Sequence, residues 1–246
     1  MDASVISFQL DLLVRLIDTT TGAELEEQNV RFYRDEKQVR PVPRGSGNYV
    51  FMNCGREDGT LEVIAYGYEP CQVPVEYEKL DRQLPVKEVF LIPSESAAGL
   101  QPIITFSGQL PGLESVQAVN LGSTCCCISE FDERRRTMKL FKTHRSGMDD
   151  IYYGLIHMDR QTYEPFVVVK ELSEASIKIS QPLQELFLVN SPIARIIFGK
   201  TTPEGDYCIR VRDDSERLIH LVRYVVKGNV KFKIVDFHKL EEVKLE

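Results

Sequence analysis

The sequence predicts an all-β protein of two tandem sandwich-like domains, and three observations carry that expectation. Apolar and polar residues alternate in short runs along the whole chain, as in Thr60-Leu61-Glu62-Val63 and Val230-Lys231-Phe232-Lys233. Such alternation puts successive side chains on opposite faces of a strand and buries one face. Clusters of Gly, Asp, Asn and Pro break these runs roughly every 8–12 residues, the spacing of an antiparallel sandwich. The segment Pro93-Ser94-Glu95-Ser96-Ala97-Ala98-Gly99 is small, polar and bounded by proline. It marks a boundary, with a first domain over 1–93, a linker over 94–100 and a second all-β domain over 101–246.

In the first domain, Ser4–Asp18 reads as one long strand or two broken ones, followed by the turn Thr19-Thr20-Thr21-Gly22. Asn29–Tyr33 and Lys37–Val42 resume the alternation. Pro41, Pro43, Gly45 and Gly47 then interrupt the chain before Asn48–Met52. Arg56-Glu57-Asp58-Gly59 is a turn, and Thr60–Tyr66, Cys71–Tyr77 and Val86–Ile92 complete a set of about seven strands, enough for a sandwich.

This stretch resembles the carboxypeptidase regulatory-like, or transthyretin-like (prealbumin-like), β-sandwich domain. The likeness rests on the opening strand and turn Val14-Arg15-Leu16-Ile17-Asp18-Thr19-Thr20-Thr21-Gly22, and on the Gly-x-Tyr-x-Phe strand Gly47 to Phe51. It rests also on the strand end Ala65-Tyr66-Gly67-Tyr68 and on the closing Leu91-Ile92-Pro93. The insert at Asp35–Ser46 departs from the pattern. The resemblance implies a scaffold or adhesion module and transfers no catalytic residue.

The second domain is expected to hold strands at Pro102–Phe106, Ser115–Asn120, Thr124–Ile128, Thr137–Thr143, Ile151–His157 and Phe166–Lys170. Further strands are expected at Ser176–Ile179, Glu185–Val189, Ala194–Phe198, Tyr207–Val211, Leu218–Val226 and Lys231–Phe237. Lys227-Gly228-Asn229 reads as a hairpin turn, and Lys200–Asp206 as turn chemistry. Glu130–Leu140 alone has helical character. Glu204-Gly205-Asp206-Tyr207 echoes Gly47-Asn48-Tyr49, either as a second sandwich of similar design or as a common turn-to-strand solution.

The net charge of −7 opposes a general nucleic-acid binder. No apolar run approaches the roughly 18 residues of a membrane span, and the first residues lack the features of a secretory signal. A cytoplasmic protein, or one released as part of an assembly, is the expectation. Cysteines 54, 71, 125, 126, 127 and 208 show no Cys-x-x-Cys pair and no histidine at zinc spacing, so reduced thiols are expected and no metal or cofactor. In a strand, Cys125 and Cys127 would face one way and Cys126 the other, packing cores on both sides.

Histidines 144, 157, 220 and 238 are scattered, and His157 and His220 read as hydrogen-bonded structural residues. The adjacent pairs Asp149-Asp150, Asp213-Asp214 and Glu241-Glu242 would point to opposite faces of a strand and read as loop charges. Arg134, Arg135 and Arg136 form the sharpest charge feature, either a docking loop for an acidic or phosphorylated partner or a solvated strand edge. No nucleotide-binding or hydrolase motif is present.

These readings favour a non-catalytic structural or adaptor protein that assembles with a protein partner or with itself. A phage-tail-like or other multi-subunit particle is one setting. The first alternative is a glycan- or peptide-binding module with its site near Asp35–Ser46 or Tyr66 and Tyr68, although the absence of tryptophan disfavours a sugar platform. The second is an enzyme using Cys126 or His157.

Overall fold

The computed structural model describes residues 9–25, 29–94, 102–142, 152–173, 175–184, 189–213, 218–240 and 243–246. The expected beginning of the first strand at Ser4, most of the linker and all but the last residue of Glu185–Val189 lie outside them. The protein is all-β and has no helix of seven or more residues among the described residues. It divides into two compact units, one comprising 1–18 and 24–100, the other 19–23 and 101–246. The Thr19–Gly22 turn, expected within the first domain, therefore belongs to the second unit, where the Thr19 carbonyl accepts the Phe198 amide at 2.8 Å.

The first unit contains β1 (Leu10–Asp18), β2 (Val30–Arg34), β3 (Lys37–Val39), β4 (Val42–Pro43), β5 (Asn48–Met52), β6 (Gly59–Ala65), β7 (Cys71–Val75) and β8 (Val86–Leu91). They form two four-stranded sheets in the orders β4-β5-β1-β8 and β3-β2-β6-β7. All pairings are antiparallel except that of β1 with β8. Alternate residues of both sheets, including Val14 and Leu16 of β1, Phe32 of β2, Phe51 of β5, Val63 of β6 and Val89 of β8, meet in one core. That is the face-to-face packing of a sandwich. Phe32 contacts the rings of Tyr49 and Phe51 at 4.8 and 5.5 Å, so the Gly-x-Tyr-x-Phe strand supplies the aromatic centre.

Gly47 is fixed by two constraints. Its φ is +66°, and a Cβ there would lie 2.8 Å from the Leu16 carbonyl oxygen and 2.9 Å from the Leu25 nitrogen. No side chain fits between those backbones, and only glycine adopts the angle without strain.

The second unit contains β9 (Ile103–Gln109), β10 (Leu113–Asn120), β11 (Cys126–Asp132), β12 (Thr137–Lys142), β13 (Tyr152–His157) and β14 (Thr162–Ser173). It continues with β15 (Ser176–Ile179), β16 (Pro192–Phe198), β17 (Lys200–Thr201), β18 (Asp206–Arg212), β19 (Ile219–Val226) and β20 (Asn229–Asp236). Nine strands run in the order β11-β12-β15-β14-β13-β16-β10-β19-β20, and β11 also pairs with β16. That last pairing closes β11, β12, β15, β14, β13 and β16 into an antiparallel ring. Strands β16-β13-β14-β15 within it are a Greek key. Every strand of the ring sends a side chain into its core: Ile128, Met138, Leu155, Phe166, Ile177 and Ile193 among them.

From β16 the sheet continues outward through β10, β19 and β20, and packs on the three-stranded sheet β17-β18-β9. Phe106, Val116, Ile197, Ile209, Val222 and Val235 fill this second, sandwich-like core. On the other face Val119, Ile196 and Leu221 meet Ile156 and Tyr163 from the β13–β14 hairpin. The turn between β19 and β20 has positive φ at both Lys227 and Gly228, the backbone of a type I′ hairpin.

The helical reading of Glu130–Leu140 is overturned. The segment is the end of β11, a turn and the start of β12. Arg136 has φ of +52°, which ends any helical path, and Met138 and Leu140 then alternate into the ring core.

Gly154 of β13 lets the hairpin approach β10, since a Cβ would lie 2.8 Å from Tyr163 Cδ2 and 2.9 Å from Val119 Cγ1. Gly154→Ala should overpack this site and destabilise the protein by about 1–3 kcal/mol, read as a lower urea midpoint. An unchanged midpoint would mean that β13 is not held against β10 there.

Candidate functional site

The arginine run occupies the turn between β11 and β12, and all three residues are exposed. Arg136 donates to the Ser180 carbonyl at 2.6 Å and so ties the turn to the end of β15. Arg135 is held by Asp132, through its backbone amide at 3.1 Å and its guanidinium at 3.6 Å. Arg134 projects into solvent, and Lys139 pairs with Glu130 at 2.6 Å. Arg135 thus serves its own hairpin and Arg136 ties that hairpin to the end of β15. His144 and Arg145, expected nearby, lie outside the described residues.

Cys126 is buried in the ring core, while Cys125 and Cys127 are half-buried, and all six cysteines are free thiols. The Cys125 amide donates to the Ile193 carbonyl at 2.8 Å, which docks the run on β16. His157 is buried at the end of β13 and His238 is exposed. His220 is buried, with its ring 4.5 Å from that of Phe237 and Nδ1 3.0 Å from the Leu218 carbonyl. A carbonyl can only accept, so Nδ1 carries the proton. Among the described residues no three His, Cys, Asp or Glu side chains gather as metal ligands. Asp149, Asp150, Asp214, Glu241 and Glu242 lie outside them. Tyr66 is exposed, whereas Tyr68 turns inward and donates to Asp18 at 2.9 Å, so the two do not form one aromatic platform.

Two clefts remain. In the first unit Val30, Phe32, Val39, Pro41 and Tyr49 line an open cleft of about 790 Å³, with Arg31, Arg40 and Ser46 also in its lining. It coincides with the Asp35–Ser46 insert, whose first two residues form a tight β2–β3 turn at φ of 47° and 66°.

The second unit holds a polar pocket of about 300 Å³ where β16 changes partners. Along one edge β16 pairs with β11 at Pro192 and Ile193, then with β10 from Ile196 to Phe198. The loop from Leu121 to Cys125 bridges the divergence. On one face of β16, Ile193 enters the ring core and Ile197 the sandwich core. Arg195 stands between them and lines the pocket with Arg212, His220, Thr21, Ser123 and Thr124. The arginines escaped the sequence reading. The available signal was Arg195 itself, the lone charge in Pro192-Ile193-Ala194-Arg195-Ile196-Ile197-Phe198.

The third feature is an edge. β20 ends the nine-strand order and is paired along one side with β19. Its lysines face the sandwich core side, where Lys231 donates to the Glu246 carbonyl at 3.0 Å and Lys233 to that of Lys244. The opposite face presents Val230 and Ile234, with Ile219 of β19, each more than 40% exposed. Half-buried Phe232 sits between them and packs edge-on against Tyr163 at 5.6 Å.

No family model matches the chain, and no curated protein matches it. Among the described residues no helix is long and apolar enough to cross a membrane.

The loop after β5 is held by buried Asp11, which accepts the amides of Cys54 at 2.6 Å and Gly55 at 3.2 Å. Arg34 donates to the carbonyls of Cys54 and Gly55 and lies over the Tyr77 ring. The Cys54 residue is exposed, yet partial burial of its thiol pushes the pKa up, with the Asp11 charge reinforcing and Arg34 opposing. A raised pKa means less thiolate at neutral pH. Maleimide labelling of Cys54 at pH 7.5, followed by peptide mass spectrometry, should therefore run slower than that of a free thiol. Labelling as fast as glutathione would refute this.

Proposed function

We propose that this protein is a non-catalytic assembly protein that associates through the outer edge of β20. The observation that carries the reading is the orientation of that strand. Edge strands are ordinarily guarded by charged side chains, lysine above all. Here Lys231 and Lys233 are engaged by the C-terminal carbonyls on one face, and the opposite face offers Val230 and Ile234. An edge with no strand partner among the described residues, beside an apolar row, suits strand addition, in which backbone bonds supply affinity and alternate side chains supply specificity. The occupant we assign is a second copy. An antiparallel edge pairs with itself about a twofold axis, and the alternating apolar row is then self-complementary.

In the same reading the first unit is a transthyretin-like scaffold, supported by its two four-stranded sheets and by the core position of the Gly47–Phe51 motif. A multi-subunit particle, phage-tail-like or otherwise, is the setting such a protein would serve. The cleft of about 790 Å³ in the first unit favours a second reading, a module that takes an extended peptide.

Light scattering over a concentration series decides between them. The expected result is a mass rising above the 28.1 kDa of one chain, with Ile234→Lys returning the protein to monomer at concentrations where the parent associates. A strict monomer throughout would overturn the assembly reading and leave the peptide module.

A further inference from the structure

We infer that the cleft in the first unit takes an extended peptide of alternating apolar and acidic residues, added as a strand beside β2. This rests on the peptide-module reading of that cleft and names the chemistry of its ligand. It holds whether or not β20 associates, since that strand belongs to the second unit.

β3 pairs with β2 only from Arg34 to Phe32, with Val39 opposite Phe32. β2 runs two residues further, where Arg31 and Val30 pair with Ile64 and Ala65 of β6. On its other side β2 has no strand partner at Val30 and Arg31 among the described residues. The Asn29 carbonyl accepts the Tyr66 amide and the Asp35 amide donates to Thr60, so the odd-numbered residues here bond toward β6. In an antiparallel ladder the amide and carbonyl of one residue point to the same neighbour, and successive residues alternate. Val30 therefore directs both groups to the open side. The register would place Pro41 opposite Val30, and proline has no amide to give the Val30 carbonyl. The chain instead leaves this sheet after Val39 and enters β4, which pairs with β5 in the other sheet. The open edge and the cleft share Val30 and Arg31.

The side chains indicate which sequence suits that edge. Val30 and Phe32 lie on the core side of β2, and with Val39, Pro41 and Tyr49 they give the cleft an apolar floor. Arg31 stands on the opposite face of the strand by alternation, and the same register sets Arg40 across from it. Both arginines are exposed and line the cleft, and no carboxylate is among its lining residues. Neither guanidinium has an ion pair or a hydrogen bond among the described residues. Like charges at opposed strand positions repel, whereas opposite charges attract. A strand added here meets apolar surface with one set of its side chains and two uncompensated cations with the other. Alternating apolar and acidic residues satisfy both sets.

The test is fluorescence polarisation with the full chain and a labelled hexapeptide that alternates valine and glutamate. The same peptide with lysine in place of glutamate is the control. The glutamate peptide should bind more tightly, and sodium chloride should weaken it, since exposed charge pairs are screened. Arg31→Gln and Arg40→Gln should each weaken it about two- to fivefold, the range for one cross-strand charge pair. Arg31→Glu and Arg40→Glu together should reverse the preference toward the lysine peptide, with circular dichroism checking that the fold is kept. Ile234→Lys should bind as the parent does, and loss of binding there would move the peptide to β20 and overturn the assignment. Equal binding of the two peptides would overturn the acidic preference and leave the peptide module standing. Binding of neither would overturn both. A preference for glutamate that survives the double charge reversal would also overturn the proposal.

Discussion

The second unit depends on a single strand. β16 is seven residues long, yet Ile193 packs in the closed ring, Ala194 and Ile196 in the layer beneath the β13–β14 hairpin, and Ile197 in the sandwich. Its hydrogen bonds are shared in the same way among β13, β11 and β10. Without the β11 pairing the ring is an open sheet with two more edges. Without the β10 pairing the sandwich loses its link to the ring. A strand with this many obligations is buried almost throughout, and a charge within it is costly unless the surroundings meet it. Arg195 avoids that cost as the exposed residue of the strand, at the place on that face where neither core needs an apolar side chain.

What the sequence could show follows from what alternation reports. It tells which residues share a face, so Met138 and Leu140, or Val222 and Tyr224, could be assigned to a common side before any partner was known. The local turns were equally legible: Gly228 has the conformational freedom that positive φ asks for, and Gly47 precedes its strand as Gly205 precedes β18. Both glycines have positive φ, and the tyrosine two residues on is buried in each case. That is a shared local solution to entering a sandwich.

Pairing across distance was not legible. Closure of the ring needs β12 beside β15 and β16 beside β11, contacts separated by dozens of residues and encoded in no local pattern. The pocket was hidden for the same reason, since its lining residues belong to separate segments and none forms a motif. Glu130–Leu140 failed differently. Its charged residues suit a helix on propensity alone, but propensity is a weak prior beside the burial of Met138 and Leu140 in a closed core. Arg134 to Arg136 then read as a cluster because the sequence hides that Arg136 and Arg135 are turned to Ser180 and Asp132.

The edge and the pocket meet on β19 without sharing a face. Ile219 contributes to the exposed apolar row beside β20, and His220, the next residue, lines the pocket on the opposite side. Strand alternation separates the two surfaces as surely as distance would. A lysine at position 234 is paired across from Leu221 and lies on the edge face, away from the His220 ring. A substitution on the apolar row therefore leaves the lining of the pocket in place, and one in the pocket leaves the row in place.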